Sequence, residues 1–180
     1  MSLWRSLLMR KKGYPEVSMF QRIAVKRGWN MVSLAVNSLD NSVAMVFADS
    51  QGSILGNSDV WWHSNGQYGQ VDYVYAGQGY WFYSARKTTL VIHGTRGTGI
   101  DLLAGYNLIG PIYNVAKIGE TYGDYFGSNK AITEINLVET TTGGEVSYTA
   151  LGPNDPLIVG KVYWVLCTEA LTLPVYRRGD

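Results

Sequence analysis

The sequence predicts an all-β protein in which two tandem copies of a small β-sandwich or barrel-like unit, each with one short helix, follow an N-terminal basic arm. The first observation is composition: the 180 residues include 13 Tyr, 6 Trp and 21 Gly, and aromatic residues favour strands whereas glycine favours turns. The second is the alternation of apolar and polar residues over short segments, which is typical of half-buried strands. The third is a pair of sequence landmarks that occurs twice and indicates an internal duplication.

The two landmarks set the boundaries of the predicted units. Residues 28–34 (GWNMVSL) return as residues 105–111 (GYNLIGP), with glycine, an aromatic residue, asparagine and two apolar residues in the same order. Residues 77–83 (GQGYWFY) return as residues 160–166 (GKVYWVL). The predicted organisation is an arm over 1–20, a first β unit over 21–95 and a second β unit over 96–180, with a glycine-rich linker at 94–99.

Each unit opens with a strand and a bend. The first strand lies near Ile23 or Ile100, where apolar and polar residues alternate. The Gly-aromatic-Asn sequence then predicts a tight bend, because glycine and asparagine both tolerate left-handed backbone angles. A second strand is predicted after the bend, over 31–36 or 108–113.

A short helix is the next predicted element. In the first unit it covers 41–48, with Asp40 or Ser42 as the candidate N-cap and apolar residues at helical spacing. In the second unit it covers about 116–125, where two glycines weaken it. Because both helices are short, each unit remains mainly β.

Strands resume after the helix. In the first unit, residues 60–62 and 71–73 are predicted to pair across Asn65-Gly66, a strong hairpin turn signal. The second unit shows the same succession of a hairpin and two further strands. The remaining predicted elements are the hairpin of 134–139 and 146–149, the aromatic strands at Tyr80 and Tyr163, and the closing strands 89–92 and 171–175.

The two landmarks together carry a family resemblance. The pairing of GWNMVSL with GQGYWFY resembles a β-rich repeat of extracellular and cell-surface proteins of bacteria and archaea, in which the pattern GWNLVSLP…GKGYWVY often occurs in tandem. The resemblance covers about residues 23–175 and implies a β fold with no enzymatic activity attached to the repeat. The second unit departs from the pattern at Tyr106, which replaces Trp, and at Val162, which replaces Gly.

The N-terminal arm is predicted to be an interface. Residues 1–27 contain seven basic residues and one acid, a net charge of +6, whereas the rest of the chain carries −5 from 8 basic and 13 acidic residues. Three interpretations remain open: contact with nucleic acid or another anionic surface, docking on a neighbouring subunit, and a disordered tail. Docking fits best because apolar anchors accompany the charges; the candidate residues are Trp4, Leu7, Leu8, Arg10, Lys11 and Lys12.

The aromatic residues divide into two predicted groups. Six occupy matching positions in both units, which favours packing in the core; they are Trp29, Tyr106, Tyr80, Trp81, Tyr163 and Trp164. Trp61, Trp62 and Tyr68 occur in the first unit alone and are therefore predicted as interface residues. Because successive strand residues point to opposite faces, Trp61 and Trp62 cannot both be buried on one face.

Chemistry-bearing residues are few. The chain has two histidines, His63 and His93, and one cysteine, Cys167, so it forms no internal disulfide, and no short spacing among these residues and acids is typical of a zinc site. Asp49, Asp59 and Asp72 lack the alternating pattern of a calcium loop. We therefore predict no catalytic residue, no metal and no cofactor. A hydrolase that uses scattered acids is the third-ranked hypothesis.

Two functional hypotheses follow from the sequence. The leading one is a non-catalytic structural protein of a virion (capsid, decoration or tail) that docks through its arm on other subunits as a homo- or hetero-oligomer. The alternative is a glycan-binding or cell-surface β module of a secreted protein. No window reaches the roughly 18 apolar residues of a membrane helix, and the first residues lack the order of a secretory signal. These features favour localisation in a virion or similar particle over an extracellular one.

Overall fold

The computed structural model describes residues 19–64, 66–97, 99–112, 129–141 and 143–174. These residues form antiparallel β-sheets and a single helical turn, which confirms the predicted all-β class. Residues 1–18 of the predicted arm and the second predicted helix at 116–125 lie outside the described residues. No helix in the described ranges is long and apolar enough to cross a membrane.

Fifteen strands follow one another along the described ranges. The first nine are β1 Met19–Val25, β2 Gly28–Ser33, β3 Val36–Ser38, β4 Ala48–Asp49, β5 Gly52–Ser53, β6 Val60–Ser64, β7 Gln67–Gln70, β8 Gly79–Ser84 and β9 Thr88–Arg96. The other six are β10 Gly99–Leu102, β11 Gly105–Ile109, β12 Ile132–Thr140, β13 Val146–Ala150, β14 Val162–Cys167 and β15 Leu171–Pro174. The helical turn α1, Val43–Val46, is shorter than predicted, and Ser42 holds its N-cap position without a side-chain capping bond.

Two four-stranded sheets form the centre of the molecule. Sheet I has the strand order β2-β8-β6-β7, and sheet II has the order β11-β14-β12-β13. A three-stranded sheet, β1-β9-β3, accompanies sheet I, and the pair β10-β15 accompanies sheet II. None of the sheets in the described ranges closes into a barrel.

A first core fills the space between sheet I and the β1-β9-β3 sheet. Strand β1 turns every second residue inward, including Ile23 and Val25, as the alternation predicted. These residues meet Tyr80 and Phe82 of β8 in one buried cluster. Gln21 is also buried; its amide donates to the Ser33 carbonyl at 2.9 Å and accepts from the Ala35 N–H at 2.7 Å, so no polar group of this side chain is left unpaired.

A second core lies between sheet II and the β10-β15 pair. Ile100 and Leu173 lie opposite each other in that pair and pack with Tyr163 and Val165 of β14. Cys167 belongs to the same cluster, and its side chain is buried. Burial raises the pKa of its thiol, so this cysteine packs as a small apolar residue.

Sheets I and II pack against each other through the faces that do not contact these cores. A third apolar cluster, formed by Leu108, Val138 and Val162 of sheet II, contacts Met31 of sheet I. Two backbone hydrogen bonds cross at the same place in a reciprocal pattern: the Ser33 N–H donates to the Gly160 carbonyl, and the Gly110 N–H donates to the Gly77 carbonyl, both at 3.1 Å. The inner strands β8 and β14 are therefore covered on both faces over most of their length, which explains their nearly continuous apolar sequences, whereas the edge strands β7 and β13 remain largely exposed.

The predicted bend occurs in both halves, by a mechanism that differs from the prediction. Gly28 and Gly105 have positive φ angles of 100° and 94°, as expected. Asn30, however, lies in the extended strand β2 and acts through its side chain, which donates to the carbonyls of Lys26 and Gly28 and accepts from the Lys26 N–H. Asn107 makes the equivalent three bonds around Leu103 and Gly105. The asparagine thus closes the loop that precedes its own strand.

Two other predictions need correction. The hairpin turns between Ser64 and Gln67, as predicted, but the strand that pairs with β6 is β7, in the register Trp61↔Gln70; of the predicted partner residues 71–73, Val71 donates its N–H to the Val60 carbonyl at 2.9 Å. Pairing begins at Ser64↔Gln67, directly on either side of the turn. The hairpin loop is therefore shorter than predicted. The predicted linker at 94–99 is largely strand, because β9 continues to Arg96 and pairs there with β3.

Candidate functional site

A cleft with an approximate volume of 700 Å³ opens where the β6–β7 hairpin of sheet I meets the facing surface of sheet II. Sheet II supplies one wall from strands β11, β12, β13 and β14, and the hairpin supplies the other. The cleft therefore exists only because the two sheets are packed together. Its volume is in the range of small-molecule sites in proteins.

Four aromatic side chains form the walls of the cleft. Tyr68 comes from β7, Tyr106 from β11, Tyr148 from β13 and Trp164 from β14. Tyr106 and Tyr148 are 47% and 60% exposed, and the Tyr106 ring meets the Trp164 ring edge-on at 5.8 Å. Exposed aromatic surface gathered in a concave site is unusual for a side chain whose only role is packing, and it is typical of ligand sites.

A carboxylate and an amide occupy the floor between these rings. Glu134 and Asn136 are two residues apart on β12, so both point to the cleft side of sheet II. The Asn136 amide donates to Glu134 at 2.5 Å, and the Tyr106 hydroxyl donates to the same carboxylate at 3.4 Å. These bonds orient the carboxylate and leave it further acceptor capacity for the hydroxyl groups of a ligand.

His63 lies at the inner end of the cleft and is 7% exposed. Its ring is wedged between Trp164, at 4.4 Å, and Tyr68, at 5.2 Å. Burial lowers the pKa of His63 below its usual 6.5, so the imidazole is neutral at pH 7. The backbone of Gly66 and of Tyr106 lies close to the ring and partly offsets the effect of burial on the His63 pKa, but the buried Nδ1 atom has no partner in hydrogen-bonding geometry among the described residues. An unpaired buried polar atom is costly, and a polar group of a ligand would satisfy it.

An aromatic ladder supports the cleft from within sheet I. Tyr68 contacts Trp81 at 5.8 Å, Trp81 contacts Trp29 at 5.3 Å, and Trp29 contacts Tyr83 at 5.7 Å, all edge to face. Edge-to-face pairs each add a modest stabilisation beyond simple burial. The ladder therefore holds Tyr68 in a defined position at the cleft.

The residues predicted as repeat core have three different environments. Tyr80 and Tyr163 are fully buried, and each hydroxyl accepts a backbone N–H at 2.7 Å, from Tyr75 and Ile158 respectively. Burial also raises the pKa of both hydroxyls. Trp29 and Trp81 are partly buried in the aromatic ladder. Trp164 and Tyr106 line the cleft, and the core assignment of Tyr106 is wrong, because half of its surface is exposed.

The residues predicted as interface residues also lie in different environments. Tyr68 lines the cleft. Trp62 packs against the first core, whereas Trp61 lies on the opposite face of β6, across from Trp81, so the predicted division between the two tryptophans is observed. The six arm residues lie outside the described residues.

Sequence reasoning missed most of the polar residues of the cleft. Glu134 and Asn136 have the two-residue spacing of one strand face, but that spacing does not reveal which face is covered. No matching aromatic residue in the first unit draws attention to Tyr148. His63 is recognised as a cleft residue only from its contact with Trp164 of the other sheet. Within the described residues, no three His, Cys, Asp or Glu side chains are close enough to hold a metal.

Comparison of the chain with models of known protein families, with curated proteins and with solved structures finds no match.

Proposed function

We propose that this chain is a non-catalytic β protein that binds carbohydrate in the cleft between sheets I and II. The observation that carries the proposal is the combination of exposed aromatic rings with an oriented carboxylate–amide pair in one concavity. A sugar ring has apolar C–H faces and a rim of hydroxyl groups. The C–H faces of a sugar would pack against the rings of Tyr106, Tyr148 and Trp164. Its hydroxyl groups would donate hydrogen bonds to the carboxylate of Glu134.

Binding is favoured over hydrolysis because of the number of acids. Glycoside hydrolysis commonly uses a pair of carboxyl groups placed on either side of the scissile bond. Among the described residues that line the cleft, Glu134 is the only carboxylate. In its bonds to Asn136 and Tyr106 this carboxylate acts as a hydrogen-bond acceptor, the same role that it would have toward the hydroxyl groups of a bound sugar.

We also propose that the two halves are tandem copies of one β unit, 21–95 and 96–180, of the cell-surface repeat type that the landmarks resemble. Three correspondences support this. Ile23 faces Leu90 as Ile100 faces Leu173. The asparagine loop closures are the same in both halves. The buried tyrosine hydroxyls accept equivalent backbone N–H groups. Such a module belongs at an extracellular surface or on an assembled particle.

The carbohydrate proposal is tested by measuring binding to a glycan array and then, for the best ligand, by calorimetry. Trp164→Ala removes the central ring of the cleft, and we expect it to weaken binding about tenfold or more, since one stacked aromatic side chain contributes on the order of 1–3 kcal/mol. Tyr148→Ala, on the exposed edge strand, is expected to weaken binding with little effect on folding.

The matched control is Tyr73→Ala. Tyr73 is 59% exposed, much like Tyr148, but it does not line the cleft, so its replacement should leave binding unchanged. Absence of binding to every glycan tested, or equal losses in the Tyr73 and Tyr148 variants, would contradict the proposal.

A structural role in a virion or similar particle is a second candidate, and the charge of the chain favours it. Residues 1–27 carry seven basic residues and one acid beside apolar Trp4, Leu7 and Leu8, a composition suited to anchoring on a neighbouring subunit. This role is compatible with carbohydrate binding, because a particle protein can present a binding cleft on its exposed surface.

The assembly role is tested by size-exclusion chromatography with light scattering on the full chain and on a Trp4→Ala, Leu7→Ala, Leu8→Ala variant. We expect the full chain to form oligomers and the variant to remain monomeric. A full chain that stays monomeric at high micromolar concentration argues against this role.

A further inference from the structure

A second cavity, of approximately 270 Å³, lies between sheets I and II and shares no lining residue with the aromatic cleft. Three lysines line it: Lys26 precedes β2, Lys87 precedes β9, and Lys161 precedes β14. Glu139 of β12 is the only acid among the described residues of its lining. The cavity therefore has an excess of two positive charges.

The existing contacts do not neutralise this charge. Lys161 forms an ion pair with Glu139 at 2.5 Å, and the Lys26 ammonium donates to the Thr140 carbonyl. The Lys87 side chain is exposed at the rim of the cavity and forms no hydrogen bond or ion pair with any described residue. Burial, followed by the nearby ammonium of Lys161, lowers the pKa of Lys26. Glu139 offsets part of the repulsion between the Lys26 and Lys161 ammonium groups, and a bound anion would offset more of it.

The apolar part of the lining limits the kind of anion. Met31, Val32 and Val138 complete the cavity beside the lysines. Lysine ammonium groups act as point charges and bind tetrahedral oxyanions well. The apolar side chains offer contact to a carbon skeleton rather than to a second charge.

We propose that the lysine cavity binds the phosphate or sulfate group of a small ligand, with its carbon skeleton against Met31 and Val138. The proposal does not depend on the carbohydrate proposal, since the two cavities have separate linings. A free oxyanion and an ester share the same charged group, so the experiment includes both.

The test is calorimetric titration of the full chain with inorganic phosphate, inorganic sulfate, a hexose 6-phosphate and the uncharged hexose, at two sodium chloride concentrations. We expect saturable binding of the charged probes that weakens as salt rises, because screening reduces the attraction. Tighter binding of the hexose phosphate than of inorganic phosphate identifies an ester, and equal binding identifies the free oxyanion.

Lys87→Gln is the most informative variant because Lys87 has no contact to lose. We expect it to weaken phosphate binding about three- to fivefold, the scale of one partly screened charge pair, without changing the unfolding midpoint. Lys130→Gln is the matched control, since Lys130 is an exposed lysine at the opposite end of β12 from Thr140. Absence of saturable binding, or binding that Lys87→Gln and Lys130→Gln affect equally, would overturn the proposal and leave Lys26 and Lys161 as links between the sheets.

Discussion

Buried polar residues fall into two classes in this protein. Asn30, Asn107 and Gln21 satisfy their hydrogen-bonding groups within the backbone of their own half, so they specify local structure. His63 and Trp81 each retain a buried nitrogen without a partner among the described residues. Both of these belong to the aromatic cluster at the cleft. A third buried polar atom without a described partner, Asn41 Oδ1, lies away from the cleft, so of the three only His63 lines the proposed ligand site.

Asn30→Ala and Asn107→Ala are expected to destabilise the protein by similar amounts, about 2 kcal/mol each. Each change leaves a buried N–H and two carbonyl groups without their side-chain partner. Urea unfolding followed by tryptophan fluorescence measures the loss. Asn57→Ala, at an exposed turn position, should have little effect. A large difference between Asn30→Ala and Asn107→Ala would weaken the proposal of equivalent units.

Acidification is expected to destabilise the protein through His63. Burial lowers the pKa of His63 in the folded state below its usual 6.5, so the unfolded chain binds the proton more tightly. The stability contributed by the neutral ring is therefore present above pH 6.5 and is lost as the pH falls below that value. Thermal unfolding between pH 7.5 and 5 should show this decline, and His63→Gln should reduce it. His93→Gln, at an exposed position of β9, should leave the decline unchanged.

Among the elements, the two hairpins have different roles. The β6–β7 hairpin forms one wall of the aromatic cleft, with Gly66 at its turn, whereas the β12–β13 hairpin belongs to sheet II and presents Tyr148. Gly144 in its turn lies against the Trp29 ring of sheet I, where an added Cβ would approach to 2.6 Å. Glycines in these turns therefore allow the backbone to turn in the hairpins and also leave room for the close contact between sheets I and II.

Gly66→Ala tests how far the hairpin determines binding. Gly66 has a φ of +77°, and an added Cβ would meet no atom within 4 Å, so the cost comes from the backbone alone. We expect a loss of about 1 kcal/mol in stability and weaker carbohydrate binding, because the turn positions His63 and Tyr68. Gly69→Ala is the matched control: it lies on the same hairpin, also has open space, and lacks a positive φ. Equal effects of Gly66→Ala and Gly69→Ala on binding would contradict this role of the turn.

At the scale of the whole molecule, close contact between the two central sheets depends on small residues. An added Cβ at Gly110 would lie 2.0 Å from the Ser33 side chain, and one at Gly79 would lie 2.7 Å from Val162. The reciprocal hydrogen bonds of Ser33 with Gly160 and of Gly110 with Gly77 cross at this place. The spacing between the sheets, and hence the width of both cavities, follows from these positions.

Gly110→Ala is expected to destabilise the protein by about 3 kcal/mol, because the inter-sheet contact has no room for a methyl group. Adding Ser33→Gly removes the opposing side chain, and the double variant should regain part of the loss even though the Ser33 hydroxyl bond to the Lys161 carbonyl is absent. Urea unfolding of both variants measures the difference. A single variant as stable as the parent would show that the two sheets separate without cost.

The sequence by itself determined the all-β class, the recurring Gly-aromatic-Asn bends, the aromatic strands β8 and β14 and the position of the turn between β6 and β7. Each of these depends on local periodicity or on the conformational freedom of glycine, and both can be read from neighbouring residues. Only the tertiary structure decided that sheets I and II pack face to face, that Tyr106 is exposed, and that His63, Glu134 and Trp164 meet in one cleft. Those residues are far apart in the chain, and their contact follows from which faces of the sheets are covered, a property that alternation within one strand does not specify.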